Sequence, residues 1–248
     1  MKKMLFVVSL LLLPLWLKAQ VGSHRNELAV GLNGGYMLSN VGFMPKVTQG
    51  LHGGLTGGVS IRYVSEKYFN TICSIYAEVN YAQAGWKEKI VDLNDRAVIN
   101  PETGLAEQYS RTIDYVQIPV FAHLAWGRED RGMQFFFRLG PQFGLMLGER
   151  TAMNFDRSKA NLQDRANREM TQYGMPVENK FDYGIVGGGG IEYIVPRVGH
   201  FLLDARYYYG LANIYGSTKR DYFAKSNLTN IVVKLTYLFD ITKTHHKK

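Results

Sequence analysis

Apolar side chains recur at every second position in eight stretches of the chain, near residues 27–36, 51–63, 72–85, 113–126, 133–147, 181–195, 200–212 and 228–239. Period two belongs to an extended strand, whose successive side chains point to opposite faces. One face is apolar: Leu28, Val30, Leu32 and Tyr36; Leu51, Leu55, Val59, Ile61 and Tyr63; Ile75, Ala77, Val79 and Tyr81; Val116, Ile118, Val120, Leu124 and Trp126. It continues through Phe135, Phe137, Leu139, Phe143, Leu145 and Leu147; Phe181, Tyr183, Ile185, Ile191 and Tyr193; Phe201, Leu203, Tyr207, Tyr209 and Leu211; and Ile231, Val233, Leu235, Tyr237 and Phe239. The opposite face carries Glu27, Arg62, Glu78, Arg138, Glu192, Asp204, Arg206 and Lys234, four acids and four bases spaced by glycines such as Gly140, Gly188 and Gly190. Arg138, set inside the stretch FFFRLGPQFGLML (135–147), is thereby turned away from Phe135, Phe137 and Leu139.

The connections alternate too. Ser65–Asn70, Gly127–Gly132 and Pro196–Gly199 are short, whereas Ser39–Gly50, Lys87–Ser110, Gly148–Asn179 and Asn213–Ser226 are long. Short turns at one end and long loops at the other characterise an outer-membrane barrel, with the turns periplasmic and the loops extracellular. The expected fold is all-β: an eight-stranded antiparallel transmembrane up-and-down barrel over residues 20–240, its apolar face against outer-membrane lipid and the eight charges forming a network in the lumen. A soluble lipocalin-type barrel would invert this arrangement. Its surface would then hold eight charges diluted by glycine, and the bulky apolar set would overfill an eight-stranded interior. A lysine or arginine facing the bilayer midplane costs about 2–4 kcal/mol, so the lumen charges also fix register, because a one-residue slip turns them into lipid.

Some positions strain the pattern. Pro119 and Pro141 fall within strands, where proline removes a ladder donor, so bulges or bends are expected there. Asp114 has outward parity and is placed at headgroup level. Tyr36, Tyr183 and Tyr209 at one end, with Tyr63, Trp126, Phe135, Tyr193 and Phe239 at the other, suggest two aromatic girdles.

Composition agrees, with 26 Gly, 16 Tyr and 13 Phe against 7 Pro in 248 residues, which favours close-packed β structure. Lys2 and Lys3 precede an apolar run from Met4 to Leu17 that is too short to span a bilayer as a helix and leads to Ala19. Residues 1–19 therefore read as a signal peptide cleaved after Ala19, for export by the general secretory route. The only cysteine, Cys73, is distant from that cut and cannot form an intramolecular disulfide. Loss of Lys2, Lys3 and Lys18 lowers the formal net charge from +8 to +5. No basic helix or compact Lys/Arg stripe suggests nucleic acid, and residues 241–248 read as a solvated basic tail in the periplasm.

Candidate chemistry is sparse. His123 has lumen parity, and Glu78, Asp204 or Glu192 could orient it toward Ser60 or Ser74, but no motif joins these residues. The histidines lack ligand spacing for a metal. The run Gly187–Gly190 leads into a strand and not a helix, so a phosphate cradle is not expected, and glycine there relieves crowding where the sheet curls. No catalytic, cofactor-binding or metal residue is assigned. The segment SKANLQDRANREMTQY (158–173) has helix-forming content, with Asp164 and Arg168 spaced to pair, and its loop could bind a partner or fold over the barrel mouth.

The segments DYVQIPVFAHLAWG (114–127), FRLGPQFGLMLG (137–148), FDYGIVGGGGIEY (181–193), LDARYYYGLANI (203–214) and NIVVKLTYLF (230–239) resemble the PorT-like outer-membrane β-barrel family of Bacteroidota. The resemblance covers most of the chain. It implies an eight-stranded barrel in the outer membrane of a Gram-negative bacterium, with one branch tied to type IX secretion, and it supplies no catalytic residues. The chain departs from barrels that end on an aromatic residue, because a basic tail follows Phe239. The expected function is a non-enzymatic, structural and partner-binding barrel, with a secretion complex as a candidate partner through its surface loops. The alternatives are a membrane enzyme acting on lipid or peptide at the barrel mouth and a narrow passive pore.

Overall fold

The computed structural model describes residues 22–216, 218 and 221–243; the expected signal peptide, residues 1–19, and most of the expected tail lie outside them. Nine strands follow in order: β1 (Ser23–Met44), β2 (Gln49–Gly50), β3 (His52–Tyr68), β4 (Thr71–Glu88), β5 (Tyr109–Gly127), β6 (Gly132–Met153), β7 (Phe181–Val195), β8 (Gly199–Asn213) and β9 (Lys225–Thr242). The two-residue β2 adds only a short pairing to β4. The other eight pair antiparallel, each with the next, and β9 returns to β1, with Val30 opposite Phe239 and Tyr36 opposite Val233. The expected all-β, eight-stranded antiparallel barrel is therefore the architecture observed. A closed ring leaves no sheet edge, the condition for placing strands in hydrocarbon, where no water can satisfy an open backbone donor.

The strands sort their side chains by parity. Leu32, Phe135 and Leu235 on the outside are 67 %, 62 % and 61 % exposed, whereas Glu78, Arg138 and Lys234 on the inside are at most 2 % exposed. At the short-turn end the outward aromatics run from strand to strand, Trp126 opposite Phe135 and Tyr193 opposite Phe201, with Phe201 opposite Tyr237. The outward apolar positions of β6 run from Phe135 to Leu147. At about 3.3 Å per residue and a tilt of about 40° they rise about 30 Å, enough for the apolar band of a barrel.

Two expectations need correction. Neither proline inserts a residue: Pro119 pairs with Gln142 and Ala122 with Leu139, so register continues across a gap in which Val120 and Phe121 are unpaired with Gly140 and Pro141. A side chain at Gly140 would place its Cβ 1.9 Å from the Val120 carbonyl oxygen. Glycine thus admits the close approach, and the strands absorb the missing donors without a bulge. The bulge falls instead between Asp114–Gly148 and Tyr115–Met146, near the long-loop end.

The strands also outlast the expected segments, β1 by eight residues beyond Tyr36. Past the apolar band the pattern inverts. Val41, Phe43, Ala84, Trp86, Ile113 and Tyr115 are buried on the inward parity, while Gln83, Lys87, Thr112 and Asp114 take outward positions. Above the membrane, water lies outside and a protein core inside, so the apolar side must change. Asp114 there accepts hydrogen bonds from Tyr81 (2.6 Å) and Arg150 (3.0 Å).

Gly140→Ala is expected to destabilise the barrel by about 1–3 kcal/mol through overpacking. Gly34→Ala, where an added Cβ meets nothing within 4 Å, should stay within about 0.5 kcal/mol. Urea unfolding in zwitterionic micelles, followed by the mobility of unheated samples on SDS gels, compares the two.

Candidate functional site

Inside the ring, strands facing each other across the lumen bring charged residues distant in sequence into one cluster. Glu78 on β4 is its hub. It accepts two hydrogen bonds from Arg206 (2.7 and 2.8 Å), one from Lys234 Nζ (2.8 Å) and one from Asn80 Nδ2 (2.8 Å). Asp204, opposite Lys234 on β9, accepts from the Arg206 Nε. Arg138 lies 3.6 Å from Asp204 Oδ1 and 3.9 Å from Glu78 Oε1. Its Nε donates to His123 Nδ1 at 2.8 Å, and its guanidinium lies over the rings of Tyr76 (3.7 Å) and Phe136 (4.4 Å). Arg138 and Arg206 both sit opposite Gly188, so the glycine run clears the space that two guanidinium groups occupy.

Toward the short-turn end, Arg62 donates to both oxygens of Glu192 (2.7 and 2.8 Å), and His200 lies between Glu192 and Asp240. The structure thus joins seven of the eight expected lumen charges in two adjoining groups and excludes Glu27. Glu27 pairs with Val64 at the rim, the last position before a register shift, and accepts from Arg25 at 3.3 Å. Its inward parity is not enough where the barrel wall ends and solvent enters. Asp240, one residue past the last expected strand, faces inward in its stead. The inward face is also bulkier than the glycines suggest, with Tyr76, Phe121, Phe136 and Tyr208 buried among the charges. Aromatic faces partner the arginines where carboxylates do not reach.

The triad considered for His123 does not form. Its Nδ1 accepts from Arg138, so the neutral ring carries its proton on Nε2 and no carboxylate orients it. The Ser60 hydroxyl accepts from Asn33. Among the described residues no group of three or more His, Cys, Asp or Glu side chains is arranged to hold a metal ion.

The opposite mouth is closed by a cap built from the long loops. Arg165, 3 % exposed, donates to Glu107 (2.7 and 3.1 Å) and to the Tyr173 hydroxyl (3.0 Å), and Tyr173 donates to Glu88. Beneath it Phe43, Trp86, Tyr215 and Phe223 pack ring against ring, with Phe43 4.9 Å from Phe223 and 5.3 Å from Trp86. The expected helix over 158–173 is absent; the segment has only single 3₁₀ turns at Arg157–Lys159 and Thr171–Tyr173. Asp164 accepts from Asn161 and not from Arg168. Burial of Arg165 against Glu107, together with the hydrogen bond from Ala166 to Val91, holds the backbone in an irregular, turning path over the mouth and overrides local helix preference. Burial alone would raise the carboxyl pKa of Glu107, but the Asn161 N–H, the Asn100 amide and the Arg165 guanidinium outweigh it and hold that pKa below the usual range.

Residues 18–216 match the family model described as an outer membrane protein beta-barrel domain. The chain belongs to this outer-membrane β-barrel family. Strand β9 lies past the matched span and closes the ring that the family model begins. The sequence has no significant match among curated proteins. Among solved structures it is similar to the outer membrane protein OprG of Pseudomonas aeruginosa, with 13 % identity, 88 % of this chain and 98 % of that chain covered and a TM-score of 0.43. It is also similar to the attachment invasion locus protein Ail of Yersinia pestis, at 13 % identity, 85 % and 98 % coverage and a TM-score of 0.33. Neisserial surface protein A is similar at 13 % identity, 86 % and 97 % coverage and a TM-score of 0.35. Likenesses this distant add nothing to the family match and the closed ring.

Glu78→Gln strips the hub of charge and leaves Arg206 and Lys234 buried without it. The expected loss is about 3–5 kcal/mol, read from urea unfolding, with partial recovery on adding Lys234→Met. In the cap, the lowered pKa of Glu107 means its contribution is complete above the usual carboxylate range and is lost as pH falls through the lowered value. Hydrogen exchange at the Asn161 amide, bonded to Glu107 at 2.9 Å, is expected to accelerate relative to the intrinsic rate at each pH only below that range. Arg165→Met should accelerate it already at neutral pH.

Proposed function

We propose that this protein is a non-catalytic, PorT-like outer-membrane barrel that presents its capped loop surface to a protein partner and acts in, or beside, a secretion complex. The observation that carries the proposal is the cap. Loops that only linked strands would need no buried Arg165–Glu107 pair or packed aromatic layer, whereas a recognition surface gains from segments already ordered before contact. Leu93 and Leu105, 89 % and 61 % exposed on that surface, are suited to burial against another chain.

A non-catalytic role is supported by His123 acting as an acceptor from arginine and not as a base paired with a carboxylate. A lumen filled by Arg138, Tyr76, Phe136 and the Glu78 cluster favours a structural reading over a pore. In the proposed orientation the short turns, β1 start and basic tail lie in the periplasm, and the cap lies outside. A signal peptide over residues 1–19 would direct export by the general secretory route.

Affinity purification from native outer membranes tests this reading. The intact protein is expected to retain a stoichiometric partner that Leu93→Asp/Leu105→Asp loses while the barrel stays folded. Purification of both forms without a partner, or ion conductance of the wild type in planar bilayers, would contradict it.

A further inference from the structure

The short-turn end differs from the capped end: it opens into a cavity of about 40 Å³ reaching the foot of the lumen cluster. The wall at its deep end comes from three adjacent strands. Ser74 on β4 faces His123 on β5, and Arg62 on β3 lies opposite Tyr76, two residues along from Ser74. Arg62, Ser74 and His123 are 6 %, 6 % and 1 % exposed. Four buried polar side-chain atoms of the lining have no hydrogen-bond partner: Arg62 Nε, His123 Nε2, Ser74 Oγ and, nearer the rim, Arg25 Nε. Each of them can donate. The arginine nitrogens do nothing else, the His123 Nε2 carries the ring proton because Nδ1 accepts from Arg138, and the serine hydroxyl can turn.

This donor excess defines what fits. A water offers lone pairs to two donors but brings two hydrogens that need acceptors. A carboxylate can accept about four hydrogen bonds and brings no hydrogen. The cavity has room for about three water-sized groups, matching the three heavy atoms of a carboxylate. Three of its four acids are paired, Glu192 with Arg62, and Glu27 and Glu129 with Arg25, and the fourth, Asp130, lies on the short turn between β5 and β6. At the deep end the entering charge therefore meets neutralised pairs, and nearer the opening it passes Asp130 and Lys243, the latter 4.0 Å from Asp240.

We propose that this cavity binds a carboxylate, supplied either as a small free acid or as a terminal carboxylate of a peptide. The compartment it opens to follows the orientation proposed above, but the binding chemistry does not depend on it or on the capped surface. The test uses the folded barrel in zwitterionic nanodiscs with ¹⁵N-labelled histidine, titrated with sodium acetate and, in parallel, with acetamide, its neutral analogue of the same size.

A saturable change in the His123 ring resonances with acetate, absent with acetamide, is expected. Ser74→Ala and Ser74→Val, which remove a hydroxyl that bonds to nothing in the structure, should each weaken it about tenfold, the worth of one hydrogen bond to a charged group. A short peptide binding more tightly with a free than with an amidated C-terminus would identify a chain end as the source, and acetate binding alone would identify a small acid. No saturable change, an equal response to acetamide, or unaltered binding in both folded Ser74 variants would overturn the proposal.

Discussion

A polypeptide crossing hydrocarbon must pair every backbone donor and acceptor with itself, and this requirement shapes the whole molecule. For extended strands the solution is a ring, closed here where β9 meets β1 along registers from Leu28–Thr242 to Met44–Lys225. Closure fixes the two faces. With lipid on one side, the outward parity must be apolar, and every charge the chain retains is driven to the other. Eight strands leave an interior only wide enough for side chains, so those charges have to satisfy one another.

The interior meets that demand unevenly. Glu78 and Glu192 each receive guanidinium groups through paired hydrogen bonds, whereas Arg138 rests on aromatic faces with its terminal nitrogens short of any acceptor. Buried ion pairs of this kind contribute little net stability against well-packed apolar residues, because desolvation offsets their attraction. Their value lies in register: shifting any of these strands by one residue would turn Arg62, Arg138, Arg206 or Lys234 into the bilayer. The two mouths then diverge. One is sealed by loops tied to Glu107 and Glu88, the other left open with unpaired donors along its wall.

The strands and their faces were legible in the sequence because lipid imposes one rule along the whole apolar band. Reading ran short where the surroundings change. Val41, Phe43, Ala84 and Trp86 continue the strands, but their apolar parity is inverted because the barrel has left the membrane. A shift of phase at Tyr36 and Tyr81 was the available signal. Glu27 and Asp240 exchanged expected places because parity names a face and not the height at which the wall ends. Pro119 and Pro141 were absorbed without a bulge because Gly140 lets the neighbouring carbonyl approach. The cap was not legible: Arg165 finds Glu107 across 58 positions of sequence, and that pairing outweighs the helical preference of the residues around it.

A nitroxide scan of β6 from Gln134 to Met153 in phospholipid vesicles tests the central claim most directly. Oxygen, concentrated in the bilayer, should broaden the label at Phe135, Phe137, Leu139, Phe143 and Leu145 and spare it at Phe136, Arg138 and Gln142. Past the bulge at Gly148 a water-soluble relaxant should take over at Arg150 and Ala152. Oxygen access at the Arg138 and Gln142 positions, or no alternation along the strand, would contradict a closed ring with lipid outside and paired charges within.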